Sequence, residues 1–305
     1  MSKKRKTLII ITGPTAIGKT KIAIEVANHF NTEIISVDSR QFYRELNIGT
    51  AVPSAEELRS VKHHFIHSHS IHDAINVSRF ETEALETLGN LFKNHDVAVM
   101  TGGSMLYIDA VCKGIDELPD VDAEVRHNLA IRLQEEGIES LRMQLKILDP
   151  DYYKTVDLKN HSRIIHALEI CLITGKPYSS FLTAPQKERP FSIIKVGIDC
   201  DRAELHKKIN RRVDRMIEAG LEKEARELYP LKHLTPLKTV GYREFFMYFE
   251  GKISKEEAIR LIKRNTRRYA RRQLTWFRND NEMKWFHPGE SQQIIKYIEN
   301  QLVEK

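Results

Sequence analysis

One segment limits what this chain can fold into more than any other. Gly13-Pro14-Thr15-Ala16-Ile17-Gly18-Lys19-Thr20 fits the pattern GxxxxGK[ST]. A short β-branched apolar run, residues 7–12, precedes it, and KTKIAIEVANHF follows it. In that following stretch Ile22, Ala23, Val26, Ala27 and Phe30 repeat at helical spacing. Strand, glycine-rich turn and helix together form a cradle for phosphate. The glycines let the backbone wrap closely, so its N–H groups point at phosphate oxygens, and the helix adds its positive end. Lys19 supplies a point charge, and the Thr20 hydroxyl is a ligand for Mg²⁺.

The pattern continues as an α/β chain. IISV (34–37), VAVMT (97–101) and FSIIKVGID (191–199) read as buried strands, with a helical stretch over roughly 78–93. Alternating strands and helices imply a parallel sheet flanked by helices, like that of P-loop NTPases. From about 115 to 190 the texture becomes amphipathic and charged, with no strand signal. We therefore expect a first part of the core in 1–114, a mainly helical insertion in 115–190 and completion of the core in 191–305. The far end of the insertion is left open at Ser162–Ile173, where the chain could rejoin the core. Helices are expected over 202–228, 254–279 and 290–305. There is no internal repeat.

No apolar run approaches the ~18 residues of a membrane span. MSKKRK before TLIIIT has the charge of a leader, but its apolar part is short and runs into the glycine loop, so it reads as a strand. Cys112, Cys171 and Cys200 lie far apart with no CxxC pair, which argues against a zinc ribbon or disulfide framework and fits a cytoplasmic setting.

In an open parallel sheet, ligands bind at the carboxyl ends of the strands. Asp38 follows IISV and is thereby expected to face the phosphate loop, as a base or a water-mediated Mg²⁺ ligand. Gly102-Gly103-Ser104 makes a tight turn at the same edge. Charge is concentrated in 260–278, RLIKRNTRRYARRQLTWFR, with eight basic residues and no acid, although the whole chain is only +6. Such a face implies an anionic partner. His63, His64, His67, His69 and His72 cluster, but with no nearby Cys they read as loop residues rather than a zinc site. Trp276 and Trp285 read as core.

GPTAIGKT, DSRQFY, LNIGTAVPS, KHH and GGSMLY, followed by LPDVDAEVR, SRIIHALEI, VGYREF and TRRYARRQLTWFR, resemble in order the bacterial tRNA dimethylallyltransferase family. The resemblance runs over approximately residues 8–287. It implies transfer of a dimethylallyl group from dimethylallyl diphosphate to N6 of the adenosine 3′ of the anticodon, in tRNAs reading codons beginning with U. Residues 13–20 would then hold a leaving group, with Mg²⁺ on Thr20 and help from Arg212 and Arg271. Asp38 would take the amine proton, with Lys19 and Thr20 assisting departure of the diphosphate. The resemblance also assigns Ser39, Arg40, Gln41 and Ser104 to the extruded adenosine or its neighbours. Arg126 and Ser162, Arg163, Ile164, Ile165 and His166 would meet the tRNA, and a monomer is expected.

The chain departs from the family in three places: Ser104 stands for Thr, Arg271 for Lys, and His67 for an acid. A hydroxyl survives at Ser104; Arg271 keeps the charge but spreads it over a planar fork. The phosphate loop alone also suits an ATP-binding kinase of nucleotides or small molecules. A cytokinin-type enzyme acting on free adenosine phosphates and a non-catalytic RNA binder are further alternatives. The long insertion and basic helix favour a large RNA.

Overall fold

The computed structural model describes residues 5–73, 75–116, 118–119, 122–183 and 186–303. In chain order the elements are β1 (Thr7–Thr12), α1 (Lys19–His29), β2 (Ile34–Val37), α2 (Ala55–Ser60), β3 (His63–His64), α3 (Val77–Asn94), β4 (Val97–Gly102) and α4 (Met105–Lys113). Then come α5 (Ala123–Glu135), α6 (Ile138–Leu148), α7 (Pro150–Thr155), α8 (His161–Thr174), β5 (Ser192–Ile198), α9 (Arg202–Glu218) and α10 (Leu221–Leu228). The chain closes with α11 (Tyr242–Phe249), α12 (Lys255–Phe277), β6 (Lys284–Phe286) and α13 (Ser291–Val303). Two compact units result: one built from the chain up to Cys112 and from Arg189 onward, the other from Lys113–Glu188. Helix α8 belongs to the second unit.

In the first unit the described strands form one parallel sheet in the order β3-β2-β4-β1-β5-β6. β1 lies between β4 and β5, with Ile9 level with Val99 and Ile194. Its six residues are all buried because helices cover both faces, and this gives it an unbroken apolar run. Leu8, Ile10, Ile35, Val37 and Met100 point into one core with Phe80, Tyr242 and Phe245. Ile9, Ile11, Ile34, Val99 and Val196 point into the other, with Ile22, Val26, Ile209 and Ile294. Parallel strands put all their carboxyl ends on one edge.

The structure adds detail to the sequence expectations in three places. The stretch expected to be helical over 202–228 is two helices, because Gly220 takes φ +98° and starts a new helix direction. The short edge strands β3 and β6 were not apparent from the sequence, since two or three residues are too few to show an alternating period. Trp285 does pack over Gly197, whereas Trp276 is 44% exposed and donates from Nε1 to Asp109 Oδ2 at 2.9 Å.

The second unit packs α5–α8 around Leu129, Leu141, Leu145, Ile164 and Leu168. Its buried carboxylate, Glu169, accepts from Arg126 Nε and Nη2 at 2.5 and 2.8 Å and pairs with His166 at 3.4 Å. Burial alone would raise that carboxyl's pKa, but hydrogen bonds from His166 and Arg126 hold it below its usual value. Arg126 and His166 are therefore engaged inside the unit, while Ser162 and Arg163 are exposed. Ile164, expected at the RNA, is fully buried in the unit's core, which corrects that expectation: its side chain holds α8. Ile165 is half-buried against the same core. Ile164→Ala should cost the unit about 2–5 kcal/mol. Hydrogen exchange would then accelerate in α5–α8 and stay unchanged in the amides of the parallel sheet.

Candidate active site

The loops after β1, β2 and β4 meet at the carboxyl edge of the sheet and are fastened by side chains from α9 and α12. Gln273 on α12 is buried and bridges two of them. Its Oε1 accepts from the Thr15 N–H at 2.9 Å and its Nε2 donates to Gly103 O at 2.8 Å. A Cβ on Gly103 would sit 2.1 Å from that Nε2, so the bridge needs glycine there. Tyr269 OH donates to the same Gly103 carbonyl at 3.3 Å. Ser104 Oγ accepts from Ser39 N at 2.9 Å, and Asp38 Oδ1 accepts from Arg40 N at 3.0 Å. Gln41 Nε2 donates to the carbonyls of Thr50 and Ala51, each at 3.1 Å. Glu224 braces that segment from below, accepting from Ile48 N, Gly49 N and Tyr242 OH at 2.7–2.9 Å.

Two cavities of about 470 and 420 Å³ share Thr15, Asp38, Arg212 and Tyr269 in their walls. Gly18, Lys19 and Thr20 line one of them; Ser39, Arg40 and Arg272 line the other. Arg212 donates from Nη1 to Thr15 Oγ1 at 3.0 Å and from Nη2 to Thr50 O at 3.4 Å. Lys19 Nζ donates to Pro14 O at 2.9 Å, folding over its own loop. Not all loop amides are free for an anion. Thr15 N–H is bound to Gln273, and Ile17 N–H donates to Pro14 O at 3.4 Å, while the Ile17 side chain is buried in the core. Gly13, Ala16 and Gly18 complete the turn into α1.

The electrostatics are those of a site that favours an anion. Burial pushes the Lys19 ammonium down to about 7; Arg212 pushes the same way, and Asp38 opposes them. Burial also lowers the Arg212 pKa, again opposed by Asp38. Burial and the nearby Asp38 charge raise the Tyr269 phenol.

Arg271 lies apart from the phosphate loop. It is exposed and lines a separate cavity, whereas its neighbour Arg272 lines the one containing Asp38. Adjacent helical residues point about 100° apart, so only one of the pair faces the loop. Sequence reasoning missed Gln273, Tyr269 and Glu224. Gln273 and Tyr269 lie inside the RRYARRQLTWFR signature, yet their bonds cross more than 160 residues of sequence. Four of the five clustered histidines have separate partners: His63 the Val61 carbonyl, His64 Glu33, His67 the Leu46 carbonyl and His69 Glu83. Among the described residues no three His, Cys, Asp or Glu side chains converge as a metal site.

The profile of the IPP transferase family matches residues 41–280. The chain belongs to that family. Among curated IPP transferase relatives, the tRNA dimethylallyltransferase of Christiangramia forsetii is 55% identical over 296 residues, covering 97% of this chain and 98% of the relative. The tRNA dimethylallyltransferase 1 of Phocaeicola vulgatus is 51% identical over 292 residues, covering 96% and 97%. The full-length tRNA isopentenylpyrophosphate transferase of Bacillus halodurans superposes with a TM-score of 0.72 at 34% identity, covering 99% of this chain and 98% of that one. A eukaryotic dimethylallyltransferase acting on tRNA shares the fold, with a TM-score of 0.78 at 23% identity over 97% of this chain and 80% of that one. The P-loop-type parallel sheet of this IPP transferase is thus the sheet of its family. Among the described residues no helix is long and apolar enough to cross a membrane.

The Lys19 ammonium gives a pH prediction. A diphosphate would raise its pKa above the ligand-free value of about 7. The Lys19 share of the affinity is therefore complete below pH 7 and falls as pH rises above it, by up to about tenfold per unit. Calorimetric titration with inorganic diphosphate across pH 6–9 should show proton uptake in the wild type. Lys19→Met should leave only the slope due to diphosphate's own ionisation; identical slopes would exclude the assignment.

Proposed function

We propose that this chain transfers the dimethylallyl group of dimethylallyl diphosphate to N6 of the adenosine 3′ of the anticodon in tRNAs reading codons beginning with U. The observation that carries the reading is the shared wall of the two cavities. Asp38 and Arg212 stand between the phosphate loop and the pocket lined by Ser39 and Arg40. A leaving group on one side and a nucleophile on the other would meet at those two residues.

The reaction breaks the allylic C–O bond and forms an N6–C bond. The bond pair departs with the diphosphate, so negative charge grows beside Lys19, Arg212 and the loop amides, which are already in place. The amine proton passes to the Asp38 carboxylate. The adenine must leave its stack to reach the carbon, and Ser39, Arg40, Gln41 and Ser104 are the groups we assign to it. The Thr20 hydroxyl lines the cavity of the phosphate loop and is a hard oxygen donor, which suits Mg²⁺ completed by water and diphosphate oxygens. When bound there, Mg²⁺ would supply further charge to the leaving group. We also infer a monomer working in the cytoplasm.

The test incubates the protein with unmodified tRNA, dimethylallyl diphosphate and Mg²⁺, and measures the mass of the adenosine 3′ of the anticodon. A gain of one C₅H₈ unit supports the reading. No gain, with ATP consumed on small substrates, replaces it with a kinase.

A further inference from the structure

The carboxylate of Glu224, on α10, is held differently from its neighbours. Glu222 on the same helix pairs with Lys255 and Arg226, and Lys223 lies 4.0 Å from Glu227. Among the described residues Glu224 pairs with no cation. Its Oε2 accepts from Ile48 N–H at 2.7 Å, and its Oε1 accepts from Gly49 N–H at 2.9 Å and from Tyr242 OH at 2.7 Å. Two successive backbone amides thus take one carboxylate, an oxygen each. A Cβ on Gly49 would lie 2.5 Å from the tip of the Tyr242 ring, so glycine is what lets the amide and the buried phenol reach the same oxygen. Burial and the Glu224 charge raise the Tyr242 pKa, which keeps the phenol a donor.

The segment held in this way, residues 46–52, is a compact turn. Thr50 Oγ1 donates to the Leu46 and Asn47 carbonyls, each at 3.1 Å. Ala51 N–H donates to Ile48 O at 3.0 Å, with Ala51 itself in the left-handed region at φ +49°. These bonds fix the shape of the turn. Its place is fixed at two ends: Gln41 holds the Thr50 and Ala51 carbonyls, and Glu224 holds the Ile48 and Gly49 amides. Gly49 and Thr50 line the cavity that contains Ser39 and Arg40, while Ala51 and Val52 line the cavity of the phosphate loop. Glu224 lines neither, so it reaches the site only through the turn. The Thr50 carbonyl accepts from Arg212 Nη2 at 3.4 Å, and Nη1 of the same guanidinium donates to Thr15 Oγ1 at 3.0 Å. Arg212 therefore bridges the turn and the phosphate loop, and keeps its place only while the two keep their spacing. At 3.4 Å its contact with the turn is already long, so a small displacement breaks it.

We propose that Glu224 is a positioning residue for the transfer: it seats the turn 46–52 so that the Thr50 carbonyl holds Arg212 at the diphosphate. This rests on the prenyl-transfer reading above and deepens it. Glutamine at this position presents one carbonyl oxygen and one NH₂ group, so one of the two amides would face a donor instead of an acceptor. The turn then moves off that contact, and a misplacement of about 1 Å can cost about 10²-fold in rate.

The test is a double-mutant cycle of Glu224→Gln with Arg212→Met, read by single-turnover transfer to unmodified tRNA. Glu224→Gln alone should slow transfer by about 10- to 100-fold, with tRNA affinity within about threefold of wild type. In the Arg212→Met background the same change should cost no more than about threefold, because the group that it displaces is already gone. Binding of inorganic diphosphate, followed by calorimetry, should repeat the pattern: about three- to tenfold weaker in Glu224→Gln, and unchanged when the substitution is added to Arg212→Met. Glu224→Asp keeps the charge on a shorter stem. It should fall between wild type and Glu224→Gln with the same cancellation, and it carries the test if Glu224→Gln does not fold. A wild-type rate in Glu224→Gln would overturn the proposal. So would an equal loss in both backgrounds, which is what a glutamate needed only for folding would give. If wild type transfers to tRNA and the cycle is additive, this proposal fails alone. If wild type binds diphosphate and transfers nothing, the functional reading fails, and the calorimetric cycle still decides whether Glu224 acts through Arg212.

Discussion

Asp38→Asn is expected to slow transfer by about 10²–10⁴-fold at saturating substrates while leaving tRNA affinity within a few-fold. Asparagine keeps the Oδ1 that accepts from Arg40 N at 3.0 Å, so the turn after β2 should survive. What is lost is the carboxylate that we propose receives the N6 proton. That charge has a second role, because Asp38 opposes the burial and the Arg212 charge that depress Lys19. In the variant Lys19 should therefore titrate lower still, and part of the loss near pH 8 would be a neutral Lys19 rather than a missing base. The two contributions separate by pH. Single-turnover rates at pH 6 and pH 8 should both be depressed, with the greater deficit at pH 8. If the deficit closes at pH 6, Asp38 acts only through Lys19, and the proton leaves by another route.

The sequence made most of this site legible for a physical reason. A phosphate loop is local: its glycines, Lys19 and Thr20 lie within eight residues, between a strand and a helix whose apolar periods differ. A parallel sheet then carries Asp38 and Ser104 to the same edge, because every βαβ crossover returns to it. What was not legible is what tertiary packing decides. Gln273 caps Thr15 from α12, and nothing in the local spacing of RRYARRQ marks which of its side chains faces inward. The helical period allows two opposite faces, and only packing against Gly103 selects the one with Gln273, Tyr269 and Arg272. Arg271 was carried over from the family's motif, which does not say which of it and Arg272 faces the phosphate loop. Ile164 was misassigned because a motif was carried over as a block, although a helix buries some of its members. Edge strands of two or three residues are too short to leave a periodic trace, since their pairing comes from a neighbour rather than from a pattern of their own.

Replacing Arg212 with methionine should lower the transfer rate by about 10²–10³-fold, the loss seen when one preorganised donor to a developing anion is removed. The guanidinium is fixed by Thr15 Oγ1 and Thr50 O, so it needs little reorganisation when charge develops on the diphosphate. Methionine replaces the aliphatic stem without the charge, so the stem's packing on α9 should be largely kept. The same replacement should act oppositely on stability. Arg212 and Lys19 are like charges held in one partly dehydrated site, opposed chiefly by Asp38. Removing one relieves repulsion in the ligand-free protein, and its thermal midpoint should stay level or rise. Lys19 should then titrate above about 7, because the Arg212 charge that lowers it is gone. The falling limb of diphosphate affinity would move to higher pH in Arg212→Met, even as the affinity itself drops. Calorimetry with inorganic diphosphate measures both. An unchanged limb would show that Arg212 and Lys19 do not interact, and a lowered thermal midpoint would show that Arg212 is there for structure rather than for the leaving group.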